Sequence, residues 1–243
     1  MTGTLYLIPA PISEENIAAV LPSSVQQKIA EIACFIVERP KTARQFLKRI
    51  DTRHSLQELE LLTLNEHTPS NDFQELLAPL MSGHDVGLLS EAGCPAVADP
   101  GAELIRLAHQ KNIPVVPLVG PSSILLALMA SGLNGQCFAF QGYLPIEALL
   151  RTKKIIELEK QSSELKQTQI FIEAPYRNQK LLEELVKVCS DTTDLCIASH
   201  LTAATEMIVT KSIKEWRKGL PDVNKIPTIF LLLGYLRPVK RHS

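Results

Sequence analysis

The stretch that decides the fold is "GLLSEAGCPAVADPG", residues 87–101, in which an apolar run passes directly into a chain of turn-forming residues. The run "DVGLLS" predicts a strand that is covered on both faces of a sheet. Such sheets bind ligands at the carboxyl ends of their strands, where this turn begins. Gly93 can adopt a positive φ and has no Cβ, while Pro95 and Pro100 stiffen the turn. The stretch fits either a ligand-contacting turn or an ordinary connection in which Asp99 caps the next helix.

The rest of the first half alternates apolar runs with amphipathic segments. We predict further strands in "TLYLIPAP", "IACFIVE", "LELLTL" and "IPVVPL", and helices in "KTARQFLKRI", "NDFQELLAPLMSG" and "ELIRLAHQKN". This order predicts parallel β–α units with helices on both faces of the sheet. The segment "SSILLALMASG" predicts a buried helix that ends at Gly132.

The second half of the chain differs in its charge pattern and in the order of its predicted elements. A charged helical segment, "ALLRTKKIIELEKQSSELKQT", is followed by strands in "QIFIEAPYR", "DLCIASHLT", "EMIVT" and "TIFLLLGY", with one more helix in "NQKLLEELVKVC". Three or four strands with few helices between them predict a mixed or antiparallel sheet. We therefore predict an α/β protein of two domains, 1–117 with a mostly parallel sheet and 118–243 with a mixed one.

Composition sets broad limits on function. The 243 residues are 45% hydrophobic and 21% charged, which is typical of a globular protein with a sizeable core. A net charge of −1 gives no overall attraction to nucleic acid or to a membrane, although a local patch stays open. The five cysteines show no zinc spacing, and the chain shows neither a signal peptide nor a membrane span, so we expect a cytoplasmic protein without a metal.

A second turn, "LVGPSS", follows the strand predicted in "IPVVPL". Gly120 and Pro121 predict the turn itself, and Ser122 is a favourable cap for the helix behind it. The exposed amides of a helix start can also bind a carboxylate or a hydroxyl group of a ligand. Neither turn has the glycine pattern of a phosphate loop or of a dinucleotide fingerprint.

Six segments together resemble a known family. "LYLIPAPI", "GLLSEAGCPAVADPG", "IPVVPLVGPSS", "ASGL", "FQGYLP" and "IFIEAPYR" occur in the order found in the tetrapyrrole methylase superfamily, and the likeness extends over residues 5–234. The chain is most similar to the branch that methylates a cytidine ribose hydroxyl in small-subunit ribosomal RNA. The resemblance implies two α/β domains with S-adenosyl-L-methionine (SAM) in the cleft between them, a homodimer, no metal and no membrane.

The resemblance also implies which residues contact SAM. They follow the strands of both domains: Pro9, Ser90, Glu91, Ala92, Gly93, Cys94, Val97, Ser122, Ser123, Leu144, Ala174, Tyr176, Pro227 and Thr228.

Several polar motifs of the ribosomal RNA branch are altered. Its Glu-Asp-Thr-Arg is "ERPK" at residues 38–41, its His-Asn-Glu is "HTP", and its Ser-Asp-Ala-Gly is "SEAG". Its Arg-Glu-Leu-Thr-Lys is "SHLTA", and its Lys-Gly-Glu is "KIP". Glu173, Arg177, Thr202 and Glu206 survive on the substrate side. The loss of these polar residues indicates that the substrate differs from that of the ribosomal RNA branch.

A ribose hydroxyl gains from a general base within hydrogen-bond reach, because its pKa lies far above neutral. Glu38, Glu91, Glu173 and His200 are the catalytic candidates, although Glu38 could simply pair with a nearby cation and His200 could be solvated. RNA would also need phosphate contacts, for which residues 39–49, "KSIKEWRK" and "RPVKRH" are the basic patches. Solvated helix faces would explain these patches equally well.

Three hypotheses therefore remain open on the sequence. The first is a SAM-dependent methyltransferase whose acceptor is a ribose of ribosomal RNA in the small subunit. The second keeps the enzyme but replaces the acceptor by a tetrapyrrole or another small heteroaromatic molecule. The third is a SAM-binding protein that has lost catalysis.

Overall fold

The computed structural model describes residues 1–13 and 17–236. The chain divides into two compact units, Met1–Ser122 and Ser123–Ser243. The sequence analysis placed the division at 117/118, at the end of a strand, and residues 118–122 belong to the first unit here.

The first unit alternates strands and helices, as the apolar runs predict. Its five strands are all parallel, in the order β3-β2-β4-β1-β5. A short 3-10 turn at Ser70–Asp72 precedes the fourth helix. The elements are β1 (Leu5–Ile8), α1 (Ile17–Val20), α2 (Ser23–Glu31), β2 (Cys34–Val37), α3 (Pro40–Arg49), β3 (Glu60–Thr63), α4 (Phe73–Met81), β4 (Val86–Leu89), α5 (Ala102–Gln110) and β5 (Val115–Pro117).

Helices cover both faces of this sheet, which confirms the prediction from the apolar strands. Successive side chains of a strand point to opposite faces. On β2, Phe35 and Val37 therefore pack in one core cluster with α2 and α3, and Cys34 and Ile36 pack in another with α4 and α5. Phe35 is fully buried, and burial of a side chain of this size stabilises the fold by roughly 2 kcal/mol.

The second unit contains a mixed sheet, as predicted, in the order β6-β7-β10-β8-β9. Strands β6 and β7 are parallel, and the other neighbours are antiparallel. Two stacked rings, Phe171 and Phe230, lie with their centres 6.1 Å apart in its core. The elements are α6 (Ser123–Ser131), β6 (Phe138–Tyr143), α7 (Ala148–Leu165), β7 (Thr168–Ile172), α8 (Asn178–Val188), β8 (Asp194–Ser199), β9 (Met207–Ser212), α9 (Ile213–Trp216) and β10 (Thr228–Leu233).

Two predictions for this unit differ from the structure. The sheet has five strands, because β6 forms from "FAFQGY", whose Gln141 and Gly142 do not resemble a strand interior. The α6 helix is not buried all round in its own chain, since Leu125 and Met129 remain 50% and 79% exposed. Only one side of α6 packs on β8, β9 and β10, and a uniformly apolar helix does not indicate which side that is. Within the described residues, no helix is long and apolar enough to cross a membrane.

Candidate functional site

In the first unit, the predicted cofactor residues follow the carboxyl ends of two neighbouring parallel strands. Pro9 follows β1 and Ser90 follows β4, and these strands pair in register. Beyond them, Ala10 and Gly93 exchange two backbone hydrogen bonds of 2.9 Å. This pair ties the turn at residues 90–101 to the chain that leaves β1, so the position of the turn is set by the sheet.

A hydrogen bond within the turn stabilises its first residues. The Ser90 hydroxyl donates a 2.6 Å hydrogen bond to the Gly93 carbonyl oxygen. Gly93 has a φ of +72°, and a Cβ placed on it would meet only the Pro121 carbonyl oxygen, at 3.8 Å. The Cys94 sulfur lies 3.6 Å from that oxygen and also interacts with the Ser122 hydroxyl, and burial raises the pKa of the thiol. The first unit thus brings Ser90, Gly93, Cys94 and Ser122 together, with Ala92 and Val97 exposed on the same turn.

The second turn of the first unit contains Gly120, whose surroundings differ from those of Gly93. A Cβ on Gly120 would lie 2.5 Å from the Pro9 Cβ, so the glycine permits close packing against the chain after β1. The space at Gly120 is therefore filled by Pro9, whereas the space at Gly93 is open.

Asp99 does not cap a helix, and this interpretation of the sequence is wrong. Helix α5 begins at Ala102 after Gly101, whose φ is +133°, and no side chain caps it. The Asp99 Oδ2 atom is buried without a hydrogen-bond partner among the described residues. Burial, followed by the charges of Glu38 and Glu91, raises the pKa of Asp99 to about 6.

A cavity of about 520 Å³ lies beside this turn. Of the four catalytic candidates, Glu91 is the one that lines it, and its Oε1 accepts a 2.6 Å hydrogen bond from the Thr42 hydroxyl. Three segments form the wall, namely residues 10–13, residues 89–92, and Thr42, Ala43, Gln45, Phe46 and Arg49 of α3. Sequence reasoning missed the contribution of α3, although Thr42, Gln45 and Arg49 are spaced as one helix face directly behind β2.

In the second unit, the predicted residues lie at one edge of the mixed sheet. The register pairs Tyr143 with Ile172, Ile172 with Ile229 and Thr228 with Ser199. The chain leaves or enters the sheet beside these pairs. This edge therefore carries Leu144, Glu173, Ala174, Tyr176, His200, Pro227 and Thr228. Ser123 belongs to the same unit as the first residue of α6.

The Glu173 carboxylate is buried and neutralised at this edge. Its side chain is 1% exposed, and its Oε1 accepts hydrogen bonds from Arg177, at 2.5 Å, and from the Ala174 backbone amide, at 2.7 Å. The hydrogen bond to Glu173 raises the pKa of Arg177. The Arg177 guanidinium lies 5.2 Å from the ring centre of Tyr176, which is exposed. Glu173 therefore has a cationic partner, whereas no described cation forms an ion pair with Glu91 or Asp99.

The turns at this edge hold non-glycine residues in the left-handed region. His200, Thr202 and Lys225 have φ values of 51°, 69° and 60°. The backbone amide of His200 donates to the Pro227 carbonyl oxygen at 3.2 Å, and that of Thr202 donates to Glu206 at 2.8 Å. Such conformations are costly and concentrate where a surrounding structure holds a functional turn in place.

Comparison with known proteins relates the whole chain to one family. The profile of the Tetrapyrrole (Corrin/Porphyrin) Methylases matches residues 8–216. Two similar proteins are both called Ribosomal RNA small subunit methyltransferase I. The one from Escherichia coli O157:H7 is 32% identical over 96% of this chain and 78% of its own length, and the one from Vibrio cholerae serotype O1 is 30% identical over 95% and 77%.

Solved structures show the same fold at lower identity. The methyltransferase CobJ aligns with a TM-score of 0.64 and 16% identity over 96% of this chain and 95% of its own. The uroporphyrin-III-C-methyltransferase from Thermus thermophilus aligns with a TM-score of 0.53 and 19% identity over 96% and 93%. Both likenesses confirm the predicted two-domain α/β architecture.

Proposed function

This chain belongs to the tetrapyrrole methylase family and is a SAM-dependent methyltransferase, and we propose that its acceptor is a ribose 2′-hydroxyl of small-subunit ribosomal RNA. The support is that relatives named as small-subunit ribosomal RNA methyltransferases match almost the whole chain at about 30% identity. A small heteroaromatic acceptor and a protein without catalysis are the alternatives, and the names of these relatives favour neither.

We propose the residues that contact SAM for each unit by itself. In the first unit, the open space at Gly93 and the fixed backbone around it suit close approach of a ligand. In the second unit, the half-buried Ala174 offers apolar contact and the exposed Tyr176 ring offers a stacking surface, whereas the Leu144 side chain is buried in the core. SAM supplies an activated methyl group when bound, so the protein has chiefly to align the acceptor oxygen with that group.

We propose Glu91 as the general base. It lines the 520 Å³ cavity, and the hydrogen bond from Thr42 holds its carboxylate there. A carboxylate so placed can receive the proton that the hydroxyl loses as its oxygen takes the methyl group. Glu38 and Glu91 lie close enough to Asp99 for their charges to act on it, so three acids share this region of the first unit.

We further propose a cytoplasmic homodimer. Ribosomal RNA is methylated where ribosomes are assembled, which places the enzyme in the cytoplasm. The dimer is implied by the family resemblance, and the exposed apolar side chains of Leu125 and Met129 on α6 offer a surface for a second copy. Met129→Lys is expected to shift the sedimentation coefficient toward that of the monomer.

Methylation of small ribosomal subunits tests the proposed function. Subunits are purified from a strain that lacks the gene, incubated with the protein and SAM, and digested for nucleoside mass spectrometry. We expect a new 2′-O-methylated nucleoside, which the Glu91→Gln variant should form at least about 100-fold more slowly. Binding of SAM in calorimetry without any new methylated nucleoside would exclude this acceptor.

A further inference from the structure

Helix α3 presents three different faces along its length. Residues three or four apart share a helix face. Ala43, Phe46 and Leu47 are buried against the core, and the cavity face consists of Thr42, Gln45 and Arg49. The remaining face carries the exposed residues Lys41, Arg44 and Lys48, which we call the basic face.

The basic face has no acidic neighbours on its own helix. The α3 sequence "PKTARQFLKR" contains no Asp or Glu, and no described acidic residue forms an ion pair with Lys41, Arg44 or Lys48. Seven residues of helix separate Lys41 from Lys48, which corresponds to about 10 Å. The three cations therefore form a row long enough to contact more than one phosphate of an RNA strand.

In the second unit, cations of the basic patch "KSIKEWRK" are already engaged within the protein. In "KSIKEWRK", Arg217 forms an ion pair with Asp191 and donates to the carbonyl oxygens of Val186 and Cys189. Lys211 lies 4.6 Å from the ring centre of Trp216. The patch "RPVKRH" lies outside the described residues. Of the two patches that the structure describes, α3 is the one that combines cations without an acidic partner and a wall of the cavity.

We propose that the basic face of α3 binds the phosphates of single-stranded RNA next to the nucleotide whose ribose enters the cavity. This inference rests on the proposed function, whose acceptor it positions. One rigid helix carries both the cavity face and the basic face, so phosphate contacts would set the register of the acceptor. The cavity wall carries one acid, Glu91, and one cation, Arg49, whereas the basic face carries three cations and no acid. Phosphates are therefore bound more favourably on the basic face, which leaves the cavity to the sugar.

The test uses the triple variant Lys41→Gln, Arg44→Gln and Lys48→Gln, which removes three charges and keeps good helix formers. Its matched control is Lys211→Gln, Lys214→Gln and Lys218→Gln, with the same charge change in the second unit. For the α3 variant, we expect KM for small ribosomal subunits to rise about 10- to 100-fold and the slope of log K against log salt to fall by about 2. We expect kcat and SAM affinity to stay within about twofold, because phosphate contacts position the RNA and do not take part in the transfer.

Direct binding of the same subunits is measured alongside turnover over a series of salt concentrations. An unchanged salt slope in the α3 variant would overturn the inference, and so would an equal loss in the control variant, which would indicate bulk charge. If the wild-type protein binds SAM and RNA but methylates no ribose, the proposed function fails while the binding measurement still decides the role of α3.

Discussion

Both units carry carboxylates where strands of their sheets end, but the two sets differ in whether a cation pairs with them. In the second unit, the buried Glu173 carboxylate is 2.5 Å from Arg177 and accepts a backbone amide as well. In the first unit, Glu91 and Asp99 share a region with Glu38, and no described cation forms an ion pair with any of the three. A paired carboxylate stabilises a turn, whereas one left without a cation costs stability and retains its capacity to take up a proton. We therefore propose a structural role for Glu173 and a catalytic role for the acids of the first unit.

Glu91→Gln is expected to have the largest effect and tests whether the first unit carries the general base. The substitution keeps the shape of the side chain but removes the proton acceptor at the cavity. We expect kcat to fall at least about 100-fold, because general-base catalysis contributes about that much or more. Single-turnover methylation with saturating SAM measures it, and calorimetry checks that SAM still binds.

Glu38→Gln is the matched control, since it changes the charge of a neighbouring acid that does not line the cavity. It should retain most of the rate. Equal losses in both variants would show that the local field, and no single acid, drives the reaction.

Glu173→Gln tests the other side of the comparison. Arg177 would lose its charged partner in a mostly buried site, so we expect the free energy of unfolding to fall by about 3 kcal/mol. Urea denaturation measures it. Glu157→Gln removes one partner of an exposed pair, Lys154–Glu157 at 3.2 Å, and should change stability by less than about 0.5 kcal/mol. Similar losses would mean that the Glu173–Arg177 pair stabilises nothing beyond a surface contact.

Asp99→Asn tests the comparison through the pH dependence of folding stability. Burial and the charges of Glu38 and Glu91 raise the pKa of Asp99 to about 6, above the unfolded value of about 3.9. The folded chain then holds a proton that the unfolded chain has lost, so stability falls as the pH rises from about 4 to about 6. At pH 8 the carboxylate is charged in both states, and the variant should be about 1–2 kcal/mol more stable than the wild type.

Below about pH 4 that gain should vanish, because both states are protonated in the wild type. Urea denaturation at both pH values tests this, with Asp51→Asn as an exposed control that should change little at either pH. A gain that does not depend on pH would show that the carboxylate is not destabilised by its charge.

Gly93→Ala has the smallest expected effect and tests whether the turn of the first unit is held rigidly. The added methyl group meets no close neighbour, so the cost comes from the φ of +72° and should be about 1 kcal/mol. Thermal denaturation measures it. Gly135→Ala also meets nothing within 4 Å and lacks a left-handed φ, so it should not destabilise. Equal effects would mean that the turn adopts other conformations as well.

Particular elements show where sequence reasoning succeeds. The run "DVGLLS" became β4 because a short apolar run fits a strand that is buried on both faces, and "KTARQFLKRI" became α3 because its apolar residues recur at helical spacing. β6 was missed because its pairing with β7 stabilises a segment that contains Gln141 and Gly142. Asp99 was misread because a cap and a buried acid share the same local sequence, and they differ only in what lies around them.

The sequence by itself determined the alternation of strands and helices, the change of sheet type between the two halves, and the turns that begin where strands end. These features follow from local rules, namely side-chain periodicity, the conformations open to glycine and proline, and the order of motifs along the chain. Tertiary structure alone decided that α3 walls a cavity beside Glu91, that Glu173 is neutralised by Arg177, and that the Asp99 Oδ2 atom finds no hydrogen-bond partner among the described residues. Each of these depends on distances between segments far apart in the chain, which packing sets and local sequence does not encode.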